Sequence, residues 1–415
     1  MGAVKPSSRL SRRDLLRGGA LTAVGVGLSS VAGGAAEAPA EPRSEGGIRR
    51  HNPLGKTGMK ISDVSFGSSR LRGDEDLVRH AFDLGINYFD SAESYTGGTS
   101  ETTIGKALAG KRDRVYLTSK TETSPTTRRG EMMRALEGSL RRLRTDYVDV
   151  YFNHAVNDVE RMKNPEWAEF VAAAKKQGKI RFSGMSGHAG ELIRCLDWVI
   201  ENRSVDVVLV AYNFGQDPAF YRRFLDTFDF IALQPDLPRV LARAKEAGIG
   251  VVAMKTLMGA RLNDMRPYET GGATFAQAAF RWVLSNPSVD ALIVSMTSRP
   301  SIDEYVEASG WSSTRAGDLP LLHRYALRRS DAYCRFGCDL CHASCPNGVA
   351  ISEVLRARMY AFDYRDPRLA REEYARLGTG AEACISCEDP SCAEACPHGL
   401  PIAELTRSAH GRLRS

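Results

Sequence analysis

Between about residue 48 and residue 310 the chain cycles eight times between a short β-branched apolar run and a longer helical pattern. The strand candidates are Asp63–Gly67, Ile86–Asp90, Arg114–Lys120, Tyr147–Phe152, Ile180–Gly184, Val205–Tyr212, Ile249–Met254 and Ala291–Met296. Between them, Asp76–Leu84, Arg129–Leu143 and Leu237–Ala247 carry the apolar spacing of helices. Near-continuous apolar strands joined by helices require a parallel sheet covered on its outside. Eight such units in roughly 260 residues predict a (β/α)8 barrel. An open doubly wound sheet would call for a Gly-x-Gly-x-x-Gly turn after an early strand, and the sequence has none. The expected architecture is therefore α/β, with a barrel over 48–312, a linker over 313–329 and a small all-α domain over 330–415.

Active sites of such barrels sit at the C-terminal ends of the strands. There the second strand ends in Asp90, with Tyr95 five residues on; the third ends in Lys120 and the fourth in Asn153-His154. Each alone has a plain explanation: a surface tyrosine, a solvated lysine, a histidine satisfied by backbone. Together they fit carbonyl reduction. A carbonyl accepting hydride develops negative charge on oxygen and needs a proton donor. A phenol can supply the proton, but its ordinary pKa near 10 is high for neutral pH. A neighbouring ammonium is expected to lower it, and a carboxylate to hold the ammonium in place. A neutral imidazole can donate a hydrogen bond to the substrate oxygen.

The run Tyr88-Phe89-Asp90-Ser91-Ala92-Glu93-Ser94-Tyr95, with Ser100-Glu101 and Gly105-Lys106-Ala107-Leu108, resembles the aldo/keto reductase superfamily. So do Leu54-Gly55-Lys56-Thr57-Gly58 and Ser139-Leu140-Arg141-Arg142-Leu143 leading into Asp146-Tyr147-Val148-Asp149. The resemblance implies a catalytic tetrad of Asp90, Tyr95, Lys120 and His154, and NADP(H) lying across the barrel mouth. It points to Gly67, Ser68, Ser186, Lys255, Ser298 and Arg299 as nucleotide contacts. The family's cofactor motifs are only partly kept. Gly184-Met185-Ser186-Gly187-His188 has the serine but lacks the usual asparagine, Leu209 stands in place of a glutamine, and Met254 in place of a stacking aromatic. His188 reads as a solvated loop histidine.

Eight of the nine cysteines fall between 334 and 396. They form two runs, Cys334-x3-Cys338-x2-Cys341-x3-Cys345-Pro346 and Cys384-x2-Cys387-x4-Cys392-x3-Cys396-Pro397. The segments that follow repeat: Asn347-Gly348-Val349-Ala350-Ile351-Ser352-Glu353 against His398-Gly399-Leu400-Pro401-Ile402-Ala403-Glu404. Val354–Tyr360 and Arg368–Leu377 look helical, and no strand signal appears. Clustered cysteines ending in Cys-Pro match bacterial ferredoxin spacing, in which the fourth cysteine of each run serves the other cluster. The tail thus resembles the α-helical two-cluster 4Fe–4S ferredoxin domains. That resemblance implies Cys334, Cys338, Cys341 and Cys396 for one cluster and Cys384, Cys387, Cys392 and Cys345 for the other. Four disulfides, or two zinc sites of four cysteines each, are the competing arrangements. The ninth cysteine, Cys195, reads as a buried core thiol.

Residues 11–17 read Ser-Arg-Arg-Asp-Leu-Leu-Arg, followed by an uncharged stretch, Gly18–Ala36, and then Ala36-Glu37-Ala38. A basic start, a modest apolar core and a small-x-small exit describe an export signal. Arg12-Arg13 with Leu15-Leu16 resembles the twin-arginine signal in particular. A basic tail and an uncleaved anchor are the other readings. Residues 1–38 then form the signal and 39–47 a linker, the twin-arginine translocase becomes a partner, and the destination is periplasmic or otherwise exported. That route carries folded proteins, which suits a chain that acquires a cofactor first. No other segment approaches ~18 consecutive apolar residues, so no stable membrane insertion of the mature chain is expected. Residues 1–38 carry three of the six net positive charges, and the small remainder gives no reason to expect a nucleic acid. The combined expectation is an exported carbonyl or alcohol oxidoreductase with two clusters, a small-molecule substrate and a redox partner protein. A non-enzymatic electron-transfer or docking subunit, or a redox sensor, competes with it.

Overall fold

A computed structural model describes residues 46–188, 190–216, 234, 236–257, 265–269, 272–327, 334, 340–362, 367–377, 380–389, 391–396 and 399–414. All belong to the unit Ser44–Ser415. The expected signal over 1–38 and the cluster ligand Cys338 lie outside the described residues.

A short antiparallel hairpin, β1 (His51–Pro53) and β2 (Lys60–Ser62), comes first. Eight strands then close into a parallel barrel: β3 (Val64–Gly67), β4 (Tyr88–Asp90), β5 (Tyr116–Thr121), β6 (Val148–Asn153), β7 (Ile180–Gly187), β8 (Val207–Ala211), β9 (Gly250–Met254) and β10 (Ala291–Ser295). β10 pairs with β3 to complete the ring. Every expected strand is present, mostly trimmed at its ends.

The barrel interior is packed with side chains. Tyr88, Val150, Phe152, Val207, Leu209, Val252 and Ala291 fill it, and Leu54, Met59 and Ile61 of the hairpin region join the same cluster. Two glycines are needed for this fit. A Cβ on Gly184 would strike the ring of Phe152, and one on Gly55, which has φ of +50°, would strike the backbone of Gly250. The hairpin thereby seats against the start of β9.

Outside the barrel lie α1 (Glu75–Asp83), α2 (Thr99–Ala107), α3 (Arg129–Leu143), α4 (Glu160–Lys163), α5 (Pro165–Lys176), α6 (Leu192–Glu201), α7 (Leu237–Glu246), α8 (Phe275–Leu284) and α9 (Arg299–Val306). Their ends follow local chemistry. Asp74 caps α1 by accepting from the amides of Asp76 and Leu77, while Asn164 caps α5 with Pro165 in its first turn.

The segment 313–329, expected as a linker, instead carries α10 (Asp318–Leu327). Asp318 is fully buried and takes a two-pronged contact from Arg281 of α8, at 2.8 and 2.6 Å. A buried carboxylate needs such a partner, and this pair fastens the segment to the barrel. Beyond it come α11 (Ile351–Phe362), α12 (Pro367–Ala375), α13 (Ser391–Glu394) and α14 (Ile402–Leu413). They enclose a second core of Val349, Ile351, Val354, Leu355, Ala409 and Leu413, with Cys341 buried in it. The tail touches the barrel directly: Arg72, in the loop after β3, meets Glu372 of α12 at 3.4 Å.

Candidate active site and cysteine centre

The four expected catalytic residues converge at the C-terminal rim. Asp90 ends β4 and pairs in register with Thr118 of β5, which places Lys120 two residues further along on the same face. Lys120 and Asp90 are each 1% exposed. The Lys120 ammonium donates to Asp90 Oδ2 and to the Ser91 carbonyl, both at 2.6 Å, while Thr118 donates to Asp90 Oδ1 at 3.0 Å. The Lys120 Nζ also lies over the Tyr95 ring, 4.9 Å from its centre. His154 stands edge-on to that ring, with centroids 5.6 Å apart and planes at 75°.

Burial works against the Lys120 charge, but Asp90 and Tyr95 outweigh it and raise the ammonium's pKa above its ordinary 10.5. Burial raises Asp90 from its usual carboxylate value, with Lys120 opposing. Lys120 acts on the phenol in the expected direction and lowers its pKa, but burial acts the other way and is larger. Burial raises Tyr95 above 10, and the ammonium offsets only part of that. The phenol is thus held protonated as a donor, and Lys120 stands ready for the negative charge left when the proton departs. His154 is pushed down to about 3 by burial, then by Lys120, Arg161 and Lys255, so its ring is neutral near pH 7.

Sequence reading missed the residues that support this group. Ser91 supplies a carbonyl to Lys120, and Thr118 steadies Asp90; its place two residues before Lys120 on one strand was the available signal. Arg161 pins the turn bearing His154 by donating to the carbonyls of His154 and Ala155, at 2.6 and 2.9 Å. Three non-glycine residues on this rim have left-handed backbones: Thr96, Ala155 and Lys255, with φ of 49°, 50° and 56°. Such strain, ~1–3 kcal/mol each, gathers where side chains must be aimed.

The expected nucleotide contacts fall into two groups. Gly67 and Ser68 are buried at the end of β3, and the Ser68 hydroxyl donates to the Asp90 carbonyl at 2.7 Å. Ser186 is buried too, accepting from the Ala155 amide at 2.9 Å. Lys255 follows β9 at the mouth, and Ser298 caps α9 with Arg299 as its first residue, both exposed. His188 is corrected from a solvated loop residue to a half-buried one. Burial holds it well below the usual imidazole value, reinforced by Lys255, Arg356 and His154.

In the tail, Cys345, Cys384, Cys387 and Cys392 carry no disulfide. Burial raises the Cys392 thiol, as do Cys345, Cys384 and Cys387 acting on it together. The Val349 amide donates to Cys345 Sγ at 3.4 Å and the Asn347 amide to Cys387 Sγ at 3.8 Å. Among the described residues, no three His, Cys, Asp or Glu side chains converge tightly enough to hold a metal ion. Cys334 and Cys341 lie in the tail, with Cys396 packed against the same core. Cys195 is fully buried on α6, its thiol pushed up to about 11 by burial.

The family model described as the aldo/keto reductase family matches residues 63–267. Methylglyoxal reductase of Escherichia coli is 37% identical over 229 residues, covering 54% of this chain and 75% of that protein. L-galactose dehydrogenase of Arabidopsis thaliana is 25% identical over 292 residues, covering 61% and 86%. An aldo-keto reductase structure from Pseudomonas aeruginosa, 25% identical, superposes with a TM-score of 0.51 over 64% of this chain and 97% of its own. One from Klebsiella pneumoniae, solved with NADP and acetate, gives 0.52 at 24% identity over 68% and 96%, which speaks to the fold. With barrel, tetrad and relatives in agreement, the chain belongs to the aldo/keto reductase family, a family of oxidoreductases acting on carbonyl groups.

Proposed function

We propose that this chain is an exported oxidoreductase that interconverts a carbonyl and an alcohol on a small molecule, uses NADP(H), and couples the exchange to two 4Fe–4S clusters in its tail. The observation that carries the carbonyl chemistry is the buried Lys120 ammonium, held at 2.6 Å from Asp90 and 4.9 Å from the centre of the Tyr95 ring. A substrate oxygen placed against the phenol receives its proton as negative charge builds there. Lys120 stabilises the phenolate left behind, and neutral His154 donates to the same oxygen and orients it. In the alcohol-to-carbonyl direction Tyr95 takes the proton back.

Bound NADP(H) supplies or receives the hydride. Lys255, which follows β9, and Ser298 and Arg299 at the start of α9 would meet its phosphates. Among the described residues the buried Thr256 hydroxyl beside Lys255 finds no hydrogen-bond partner, as expected of a lining that a ligand completes.

The donor chemistry of Cys345, Cys384, Cys387 and Cys392 fits a 4Fe–4S cluster. Cys345, Cys384 and Cys387 all act electrostatically on the Cys392 thiol, so the four belong to one region of the tail. Amide donors to Cys345 and Cys387 suit charged sulfurs. Cys334, Cys338, Cys341 and Cys396 would hold the second cluster. Clusters pass electrons singly, so two of them match the two-electron change at the carbonyl. Export by the twin-arginine route is supported by Arg12-Arg13 and by the need to insert clusters before translocation. Anaerobic purification with iron, sulfide and nucleotide quantitation tests the reading. Roughly eight irons and eight labile sulfides per chain are expected. Absence of both overturns the cluster assignment, and failure to bind NADP(H) overturns the nucleotide assignment.

A further inference from the structure

Behind the tetrad, where the ends of β3 and β4 meet the first turn of α2, three serines form a buried row. Ser68 and Ser91 follow β3 and β4, and Ser100 is the second residue of α2. Each is at most 1% exposed. Ser91 Oγ lies 2.9 Å from Ser100 Oγ, Ser100 Oγ donates to Ser68 Oγ at 2.6 Å, and Ser68 Oγ donates to the Asp90 carbonyl. A hydroxyl has one proton to give. Ser68 gives its proton to the carbonyl and Ser100 gives its own to Ser68, so the Ser91 hydroxyl is the donor to Ser100. The row runs in one direction, with Ser100 joining the other two.

Both ends of the row are residues that hold Lys120. Asp90 accepts from the ammonium through Oδ2 and Ser91 through its carbonyl, each at 2.6 Å. An ammonium has three N–H groups, and two fixed acceptors decide where the third points. Ser100 also reaches the segment that bears the phenol. Its backbone amide donates to the Thr96 hydroxyl at 3.0 Å, and that hydroxyl contacts the carbonyls of Tyr95 and Leu71 at 2.8 and 2.9 Å. These bonds support the left-handed backbone of Thr96, which is strained when left to itself.

We propose that Ser100 is a positioning residue of the carbonyl site: through Ser91 and Ser68 it fixes the two acceptors of Lys120 and so sets the direction in which the ammonium faces Tyr95. The inference rests on the carbonyl oxidoreductase reading above and adds to it a residue that acts only through its neighbours, being fully buried itself.

Ser65 separates positioning from packing. It is as buried as Ser100 and donates to the Ser62 carbonyl at 2.6 Å, but it lies near the start of β3, away from the rim. Reductive methylation of the full chain with formaldehyde and cyanoborohydride, followed by mass spectrometry, reads how fast Lys120 reacts whether or not a substrate is turned over. Lys120 should react roughly tenfold faster in Ser100→Ala than in wild type, the loss of about one hydrogen bond's hold, while Ser65→Ala leaves the rate unchanged. Ser100→Thr, which keeps the hydroxyl, should return most of the protection. In NADPH-dependent reduction of 4-nitrobenzaldehyde, kcat of Ser100→Ala should fall roughly 10–100-fold with KM little changed, as expected when reacting groups are misaimed rather than removed. Ser91→Ala breaks the same bond from the other side and should show the same changes, so a fold lost in one variant leaves the other to decide. The double variant Ser91→Ala/Ser100→Ala should lose no more kcat than either alone. Equal Lys120 reactivity in Ser100→Ala and Ser65→Ala, or losses in kcat that multiply in the double variant, overturn the proposal. Lys120 protection that depends on Ser100 in a chain that reduces no carbonyl upholds the positioning while refuting the carbonyl reading.

Discussion

Tyr95 is the residue on which the chemistry turns, and its surroundings separate its role from those of its neighbours. Tyr95→Phe deletes the proton and keeps the ring against His154. Carbonyl reduction should fall by about 10²–10⁴-fold in kcat with the melting temperature unchanged. Retained turnover would mean another donor. Lys120 is different because it is also structural. Lys120→Met leaves Asp90 buried without its cation, a loss of roughly 3–5 kcal/mol in denaturant unfolding. The double variant Lys120→Met/Asp90→Asn should regain much of that stability and none of the activity, separating positioning from packing. His154 makes a pH prediction. Its imidazole titrates at about 3 in the folded chain and near 6.5 when unfolded, so acid protonates the unfolded state first. Its contribution to stability is complete above pH 6.5 and is lost as pH falls toward 3. Unfolding free energy in that window should drop by up to ~1.4 kcal/mol per pH unit more for wild type than for His154→Gln. Equal slopes would show that the ring is solvated.

At the level of elements, the best test lies where the segment after the barrel docks. Asp318 is buried against Arg281 by two hydrogen bonds, and Trp311 lies over both Arg281 and Arg315. Asp318→Asn keeps the shape but strands a buried guanidinium, so about 3 kcal/mol should be lost in urea unfolding. Loss of less than ~1 kcal/mol would place the pair in contact with water. This element also marks where sequence reading stopped. The eight barrel strands were legible because a strand buried on both faces must be apolar throughout, whatever follows it. The tetrad was legible because barrel topology sends strand ends to one rim. By contrast, α10 depends on Arg281, 37 residues earlier, and only the folded chain brings it beside Asp318. The hairpin strands are three residues each, too short for alternation to show, and their pairing depends on a turn at Gly55 held against β9.

For the molecule as a whole, the decisive relation is between the two cysteine runs. The resemblance to two-cluster ferredoxins implies that Cys345 serves the centre of the second run, and Cys345 acts electrostatically on Cys384 and Cys392. What spacing could not reveal is the contact between the tail and the barrel, since neither Arg72 nor Glu372 lies in a local pattern that names the other. Crossed ligation can be separated from two independent loops by counting iron. Cys345→Ala alone should leave roughly four of eight irons per chain, and so should Cys384→Ala, because each removes one ligand from one cluster. Neither variant discriminates on its own. In the double variant Cys345→Ala/Cys384→Ala, crossed ligation places both losses on the same cluster, and about four irons remain. If each run held its own cluster, the double variant would damage both and retain almost none. Measured anaerobically beside Cys195→Ala, which should keep the full complement, an iron content near zero in the double variant would refute the crossed arrangement.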